Sequence, residues 1–551
     1  MGIFLNSTAP FEAYQAVAAG KYFVDKSALL NELIPAIGTE ERFFCVTRPR
    51  RFGKSVAANM VAAFFGKAEE DRGVFDALQI AKSENYRKHL HKHEVIYIDF
   101  SRMPENCSSY EEYISRISIS LKKDIVQEYS KISEIKPDTN RAVWDILQEI
   151  FERTKHKFIF VIDEWDAVFH KSFITKEDKK NYLEFLRNLL KGQAYVELAY
   201  MTGVLLIAKY SSGSELNMFM EFDMAKAERF GEYFGFMDSE VDILYERYLE
   251  AIRRPAIARR DLNVWYDGYW TAAGDRIYNP RSVVYALTNN QLRNYWTSSG
   301  PYDEIFYYIK GNIADVQDDL ALMVSGEGIE SNMMEYAATA SELNTKDQIY
   351  SAMVVYGLLT YDEEEGKVFI PNKELMDKFK ELMMSNESLG YVNRLAKESA
   401  RMLKATLAGD TKTMAEILKF THDTESPILS YNSEIELAAV VNLVYLAARD
   451  KYRVEREDKA GQGYVDFIFY PERRGADGLI LELKVDDTPE NAIRQIREKD
   501  YILRFHGKLG EKPRYTGRIL AVGISYNKKT KEHFCRVEVL QRQPDPIGPV
   551  K

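Results

Sequence analysis

The sequence predicts an α/β protein: a doubly wound parallel sheet, a helical subdomain, a helical connector and a second, smaller α/β domain. Three observations carry that expectation. First, the runs "RFFCVT" (42–47), "EVIYIDFS" (94–101), "KFIFVID" (157–163) and "ELAYMTGVLLI" (197–207) are apolar on both faces. Such runs suit interior parallel strands, which are covered on both sides. Second, helix-like segments such as "SVAANMVAAFFG" (55–66) and "KKNYLEFLRNLLKG" (179–192) separate them, and strand–helix alternation implies a doubly wound sheet. Third, "YVDFIFY" and "GLILELKV" near the C-terminus read as two strands across a polar turn.

Between these ends, residues 225–300 read as more helical and contain "WYDGYW" (265–270) and "IYNPRSVVYAL" (277–287). Segment 301–385 has helical periodicity and finishes with "GLLTYDEEEGKVFIP" (357–371), two strand-like runs around an acidic glycine turn. Residues 386–430 read as a helical connector, and an amphipathic helix, "SEIELAAVVNLVYLAARD", opens the last section. The expected domains are 1–224, 225–300, 301–430 and 431–551.

Composition narrows the class. A length of 551 residues suits two to four domains, and 46% hydrophobic with 29% charged residues describes ordinary globular protein rather than a disordered one. Cys45, Cys107 and Cys535 form no CxxC pair, which argues against a disulfide framework or zinc site and fits a reducing cytoplasm. "MGIFLNSTAPFEAYQ" lacks the basic-then-apolar pattern of a signal peptide, and its Ser7 and Thr8 are misplaced for myristoylation. No apolar run reaches the ~20 residues of a membrane helix, so no membrane partner is expected. The formal charge of −10 gives no general attraction to nucleic acid, so any such contact needs a local basic patch.

"CVTRPRRFGKSVAANMV" (45–61) raises the first chemical question. Gly53-Lys54-Ser55 ends this loop as a phosphate-binding loop ends, yet Arg48 stands where the opening glycine is expected. The context supplies strand, turn and helix in the required order. In such a turn backbone N–H groups face phosphate oxygens, the lysine reaches the β/γ oxygens and the hydroxyl binds Mg²⁺. Arg48, Arg50 and Arg51 add positive charge to an anion site; Pro49 and Phe52 complete the turn. "FIFVIDEWD" then ends an apolar strand in Asp163-Glu164, one carboxylate for the Mg²⁺ shell and the next to activate a water on the γ-phosphate. Thr202 supplies a hydroxyl that senses that phosphate. ATP and Mg²⁺ are the expected cofactors.

A second centre is expected in "GQGYVDFIFYPERRGADGLILELKVDD" (461–487). Asp466 lies near the start of one strand and Glu482 near the end of the next. Lys484, two residues on, shares Glu482's face. Carboxylates that hold Mg²⁺ against a scissile phosphate, with a lysine to position water and offset charge, suit phosphodiester hydrolysis. Glu434 opens the preceding helix as a further carboxylate, with Glu436 its competitor. Arg494, Arg497 and Arg504 fall on one helical stripe, followed by Lys508, Lys512, Arg514 and Arg518, a basic patch for a polyanion. The cluster "HLHKH" (89–93) has no carboxylate or cysteine at ligand spacing and reads as a solvated helix end.

The chain resembles bacterial two-domain proteins that join an AAA-ATPase-like, P-loop NTPase domain to a C-terminal PD-(D/E)XK nuclease-like domain of the restriction-endonuclease type. The resemblance rests on "YFVDKSALL" (22–30), "TRPRRFGKS", "VIDEWD", "TGVLLIAKY", "SELNMF", "WYDGYW", "YNPRSV", "GLLTYDEEEGKVFIPN", "GQGYVDFIF", "ELK" and "AIRQIREKDY". In that family the loop typically reads Arg-Pro-Arg-Arg-Phe-Gly-Lys, so the lost glycine is a family trait. The resemblance implies that Lys54, Ser55, Asp163 and Glu164 handle ATP and Mg²⁺. It also implies that Glu434, Asp466, Glu482 and Lys484 form the nuclease centre, with Gln495 as its supporting helix residue. Leu206 follows "TGVL" where related sequences often carry Arg or Pro, so a nucleotide-contacting arginine is either absent or supplied elsewhere. Arg253, Arg254, Arg259 and Arg260 are the candidates for an arginine finger acting in trans. Two functions are expected from this pattern: ATP hydrolysis joined to Mg²⁺-dependent nucleic-acid cleavage, with DNA ranked ahead of RNA and a homo-oligomer as an open assembly state; or a nucleotide-driven switch whose nuclease-like domain only binds nucleic acid or a protein.

Overall fold

The structure is a computed structural model that describes residues 2–67, 73–102, 107–130, 140–207, 215–296, 313–333, 343, 345–419, 434–460, 463–473, 475–505 and 517–541. It divides into two compact units, Met1–Ile305 with Glu330–Glu374, and Phe306–Ile329 with Leu375–Lys551. The expected connector 301–430 is therefore shared between them.

In the first unit the four apolar runs become β1 (Phe43–Thr47), β2 (Glu94–Asp99), β3 (Phe158–Asp163) and β4 (Val196–Gly203), joined by β5 (Met220–Phe222). They form one sheet in the order β2–β3–β4–β1–β5, parallel throughout. Every residue of β1 and β3 is buried, as two-sided cover requires. On one face Phe44, Val46, Val161 and Tyr200 share a core with Val61 and Phe64 of the helix Lys54–Phe65. On the other, Phe158 meets Tyr129 of the helix Tyr110–Tyr129. Loops leaving the carboxyl ends of β1, β3 and β4 consequently share one edge, where ligands of open α/β sheets bind.

The helical subdomain follows. Helices Asp238–Ala251, Arg259–Tyr266 and Pro280–Asn289 bury Val241, Leu244, Tyr248, Leu262 and Val283 in a separate core. The short strands β6 (Phe236–Met237), β7 (Tyr269–Trp270) and β8 (Arg276–Tyr278) pair beside them in the order β6–β8–β7. Of β9 (Ile329–Glu330), β10 (Thr360–Asp362) and β11 (Lys367–Phe369), the last two form the hairpin expected around the acidic turn.

The second unit carries a mixed sheet, β12 (Tyr452–Ala460), β13 (Gly463–Pro471), β14 (Gly478–Val485), β15 (Ile519–Asn527) and β16 (Glu532–Gln541), in sequence order. Only β14 and β15 are parallel. That parallel step needs a crossover, and it contains the helix Pro489–Glu498. Ile493 and Ile496 on this helix pack with Ile468, Ile480 and Ala521 of the sheet. The helix Glu434–Val444, apolar from Leu437 onward except for Asn442, is also buried in this unit.

Glu374 is an unusual buried residue of the first unit. It is fully buried and accepts hydrogen bonds from Ser282 Oγ at 2.9 Å and from the backbone N–H groups of Tyr295 and Trp296 at 2.6 and 2.8 Å. The Trp296 indole donates in turn to the Arg50 carbonyl at 3.1 Å. Burial, only partly offset by those hydrogen bonds, pushes the Glu374 carboxyl up to about 7 from 4.5. A raised folded-state value means that the folded chain holds the proton more tightly between those limits. This stability is fully present below about 4.5 and is lost as pH rises through about 7. Thermal melts from pH 5 to 8 are expected to show a falling midpoint, and Glu374→Gln, which cannot ionise, should remove Glu374's share of that fall and leave the share of other buried carboxyls such as Asp163 and Asp166.

Candidate functional site

The first centre is built where β1 ends. Gly53 adopts φ of 90°, in the left-handed region that side chains resist, and nothing lies within 4 Å of where a Cβ would sit. Its requirement is therefore conformational rather than steric. The turn delivers Lys54 as the first residue of its helix. The Lys54 Nζ is buried, donates to the Arg48 and Pro49 carbonyls at 3.1 Å each, and lies 3.8 Å from Glu164 Oε1.

Parallel pairing places β4 between β1 and β3, with Val46 opposite Thr202 and Ile162 opposite Met201. Asp163, at the end of β3, is only 1% exposed. Its Oδ1 accepts from the Thr202 hydroxyl and from the Glu164 N–H, and Ser55 is hydrogen-bonded to the same carboxylate. Burial pushes Asp163 up to about 6, with Thr202 and Ser55 pulling the other way. Glu164 takes φ of 51°, which turns the chain sharply out of the strand. The buried Asp166 accepts from the N–H groups of Val204 and Leu205 at 3.0 and 2.8 Å, and burial pushes it up to about 6 as well.

Beside these groups lies a cavity of about 1170 Å³. Residues Arg50 to Ser55 form its loop wall, Glu164 and Asp166 a second wall, and Tyr22, Phe236, Ile252 and Val284 an apolar end. Its volume and mix of charged and apolar walls suit a nucleotide with its phosphates at the loop.

Three expected contacts are placed differently. Arg48 is buried; its guanidinium donates to the Thr47 and Phe222 carbonyls at 2.8 Å and lies over the Phe234 ring. Its own N–H goes to the Gly203 carbonyl at 3.1 Å, and Pro49 has no N–H. Neither lines the cavity. Thr202 is fully buried and directs its hydroxyl to Asp163 instead of to a phosphate. In their place Arg281, in the first turn of the helix Pro280–Asn289, lines the cavity with its guanidinium over the Tyr285 ring. The signal was available in "YNPRSV": an arginine directly after an Asn-Pro helix start. Among the finger candidates, Arg259 is held by Asp238 and Asp242 at 2.6 Å each, whereas Arg253 and Arg254 are exposed.

The second centre lies on β13 and β14, paired with Phe467 opposite Leu481. Asp466 Oδ2 accepts the Leu483 N–H at 2.7 Å. Glu482, 3% exposed, accepts at Oε1 from Lys484 Nζ at 3.2 Å and from the Gln495 amide. Its Oε2 is buried and accepts no hydrogen bond among the described groups. Burial first, and the neighbouring Asp466 second, push the Glu482 carboxyl well up. A cation would relieve both effects, so the residues fit a metal at this carboxylate. Glu434 begins its helix, and its side chain and that of Glu436 lie outside the described residues, as do Lys508, Lys512, Arg514 and the Arg504 side chain. The rest of the expected basic stripe is internally matched: Arg494 pairs with Glu498, Arg497 with Glu538 and Arg518 with Asp477.

The histidine cluster corrects another expectation. His93 Nδ1 lies 2.9 Å from Glu197 Oε2, and its Nε2 lies 3.0 Å from His89 Nδ1. The carboxylate partner is 104 residues away in the chain, beyond any local spacing.

Residues 11–212 match the family model described as "Predicted AAA-ATPase", and residues 437–533 match that of the PD-(D/E)XK nuclease superfamily. A curated relative, an uncharacterized protein in the vnfD 5′ region of Azotobacter chroococcum mcd 1, is 25% identical over 285 residues. The match covers 51% of each chain, so this chain spans about half the length of that relative. Similar solved structures include the Walker-type ATPase of Pyrococcus abyssi, at 11% identity and TM-score 0.34 over 64% of this chain and 94% of that one. The Aeropyrum pernix ORC2 protein, at 13% identity and TM-score 0.31, covers 65% and 92% respectively. The chain thus joins an AAA-ATPase-like domain to a C-terminal domain of the PD-(D/E)XK nuclease superfamily.

Proposed function

We propose that this protein binds and hydrolyses ATP in its N-terminal domain and cleaves nucleic-acid phosphodiesters, of DNA ahead of RNA, in its C-terminal domain. The observation that carries the reading is a cavity large enough to admit a nucleotide, with Lys54, Ser55, Glu164 and Arg281 on its walls. Lys54 and Arg281 bring positive charge to the triphosphate, and the Lys54 ammonium exchanges loop carbonyls for phosphate oxygens. Glu164, turned out of β3, accepts a proton from water. Asp163 and Ser55 would hold Mg²⁺, which supplies charge neutralisation when bound.

In the second centre Asp466 and Glu482 would hold a divalent cation, which supplies Lewis acidity at the scissile phosphate. Lys484 offers positive charge beside Glu482, and Gln495 orients that carboxylate. The internal pairing of Arg494, Arg497 and Arg518 favours a second reading, in which ATP drives a switch and the nuclease-like domain only binds nucleic acid or a protein. Cytoplasmic location and homo-oligomerisation belong to the proposal too; no helix among the described residues is long and apolar enough to cross a membrane.

Purified protein with labelled single- and double-stranded DNA and RNA, Mg²⁺ or Mn²⁺, and ATP separates these readings. Lys54→Ala is expected to lower ATP hydrolysis by about 10²-fold or more with the circular dichroism spectrum intact; unchanged hydrolysis refutes the loop assignment. In Asp466→Ala the cleavage rate is expected to fall by about 10²-fold or more while ATP hydrolysis persists. Cleavage that survives this change rules out the second centre, and its absence from the wild type under every condition favours the switch.

A further inference from the structure

One buried group on the cavity wall has no task in the chemistry above. Asp166 is 1% exposed, and its Oδ2 is fixed by two backbone donors, Val204 and Leu205. Its Oδ1 is buried and receives no hydrogen bond from any other described residue; Asp166's own N–H also meets this carboxylate. Leaving a carboxylate oxygen without a donor is costly, and the two anchoring bonds fix its direction.

The surroundings keep this oxygen in place. Trp165, fully buried, donates its indole N–H to the Leu205 carbonyl at 3.1 Å, so the turn carrying Asp166 is tied twice to the segment after β4. A Cβ on Gly203 would stand 2.4 Å from Trp165 Cδ1 and 2.8 Å from Asp166 Oδ1. Glycine there leaves room for both side chains. Glu164, two residues earlier, lines the same cavity.

We propose that Asp166 is a second acceptor for the attacking water: Glu164 takes one of its protons, and Asp166 Oδ1 accepts a hydrogen bond from its other O–H. The inference rests on the ATP-hydrolysis reading. In the step, the water oxygen forms a bond to the γ-phosphorus as the β–γ bridging P–O bond breaks. ADP leaves with that bonding pair, one proton passes to Glu164 and is later released to solvent, and the other stays on the new phosphate oxygen. Asp166 exchanges no proton; it aims the lone pair. Orientation of this kind is a large part of what an enzyme contributes when there is little covalent chemistry to perform.

Asparagine tests this role without changing the shape. The Val204 and Leu205 N–H groups demand an acceptor, so Asp166→Asn must turn its carbonyl toward them and its NH₂ toward the place of Oδ1. A donor then replaces the acceptor. Full-length wild type, Asp166→Asn and Asp166→Ala are compared for kcat and KM with MgATP, ATP dissociation constant and thermal midpoint. Asp166→Asn is expected to keep KM, the dissociation constant and the midpoint while kcat falls about 10²-fold; Asp166→Ala, which also loses the anchor, lowers the midpoint too. A kcat for Asp166→Asn within about twofold of wild type overturns the proposal, as does loss of kcat, ATP affinity and midpoint together. Wild type that binds ATP without hydrolysing it overturns this role and leaves nucleotide binding standing. Wild type that does not bind ATP overturns the underlying reading itself.

Discussion

Asp163 is a carboxylate taken out of water at the centre of the first domain, and the surrounding elements are arranged to make that tolerable. An isolated buried charge is costly, so its oxygens must find donors. They come from separate places: the Thr202 hydroxyl on β4, Ser55 at the start of the loop helix, and the Glu164 N–H. Those donors coincide only while β1, β4 and β3 keep their register. A slip of one residue would turn Thr202 to the opposite face of the sheet, leaving Asp163 without its closest partner. The loop that carries Lys54 and Ser55 and the acidic strand end are held together by that requirement.

The C-terminal domain meets a similar constraint on an unrelated sheet. Glu482 is buried beside Asp466 and receives Lys484 and Gln495 on one oxygen only. Strand periodicity brings the lysine, and the crossover helix brings the glutamine. The other oxygen accepts no hydrogen bond among the described groups. A carboxylate held this way is destabilising for the fold by itself, which is the usual condition of groups shaped for chemistry rather than stability.

Much of this was legible in the chain. The four apolar runs announce β1 to β4 because burial on both faces needs apolar residues at every position, a pattern that survives any tertiary context. Gly53-Lys54-Ser55 after a strand announces the turn because few residues adopt its backbone. Glu482 and Lys484 share a face by period two alone. What misled was the assignment of side chains by type. Arg48 looked like a phosphate ligand, yet it faces the Phe222 carbonyl and the Phe234 ring. Thr202 looked like a phosphate sensor, yet its partner is Asp163. Arg494, Arg497 and Arg518 looked like an open basic patch, yet each has a carboxylate close by, two of these on β16 or in the turn before β14.

The sequence by itself therefore determined the strands, the loop and the hairpin, since these follow from local backbone preference and the periodicity of burial. Only the tertiary structure decided which oxygen meets which donor: Asp163 with Thr202, Asp166 with Val204 and Leu205, His93 with Glu197, and Arg281 on the cavity wall. Those pairings join residues from about 40 to 100 positions apart. A hydrogen bond is decided over a few tenths of an ångström and a direction, and no local pattern encodes either across such a separation.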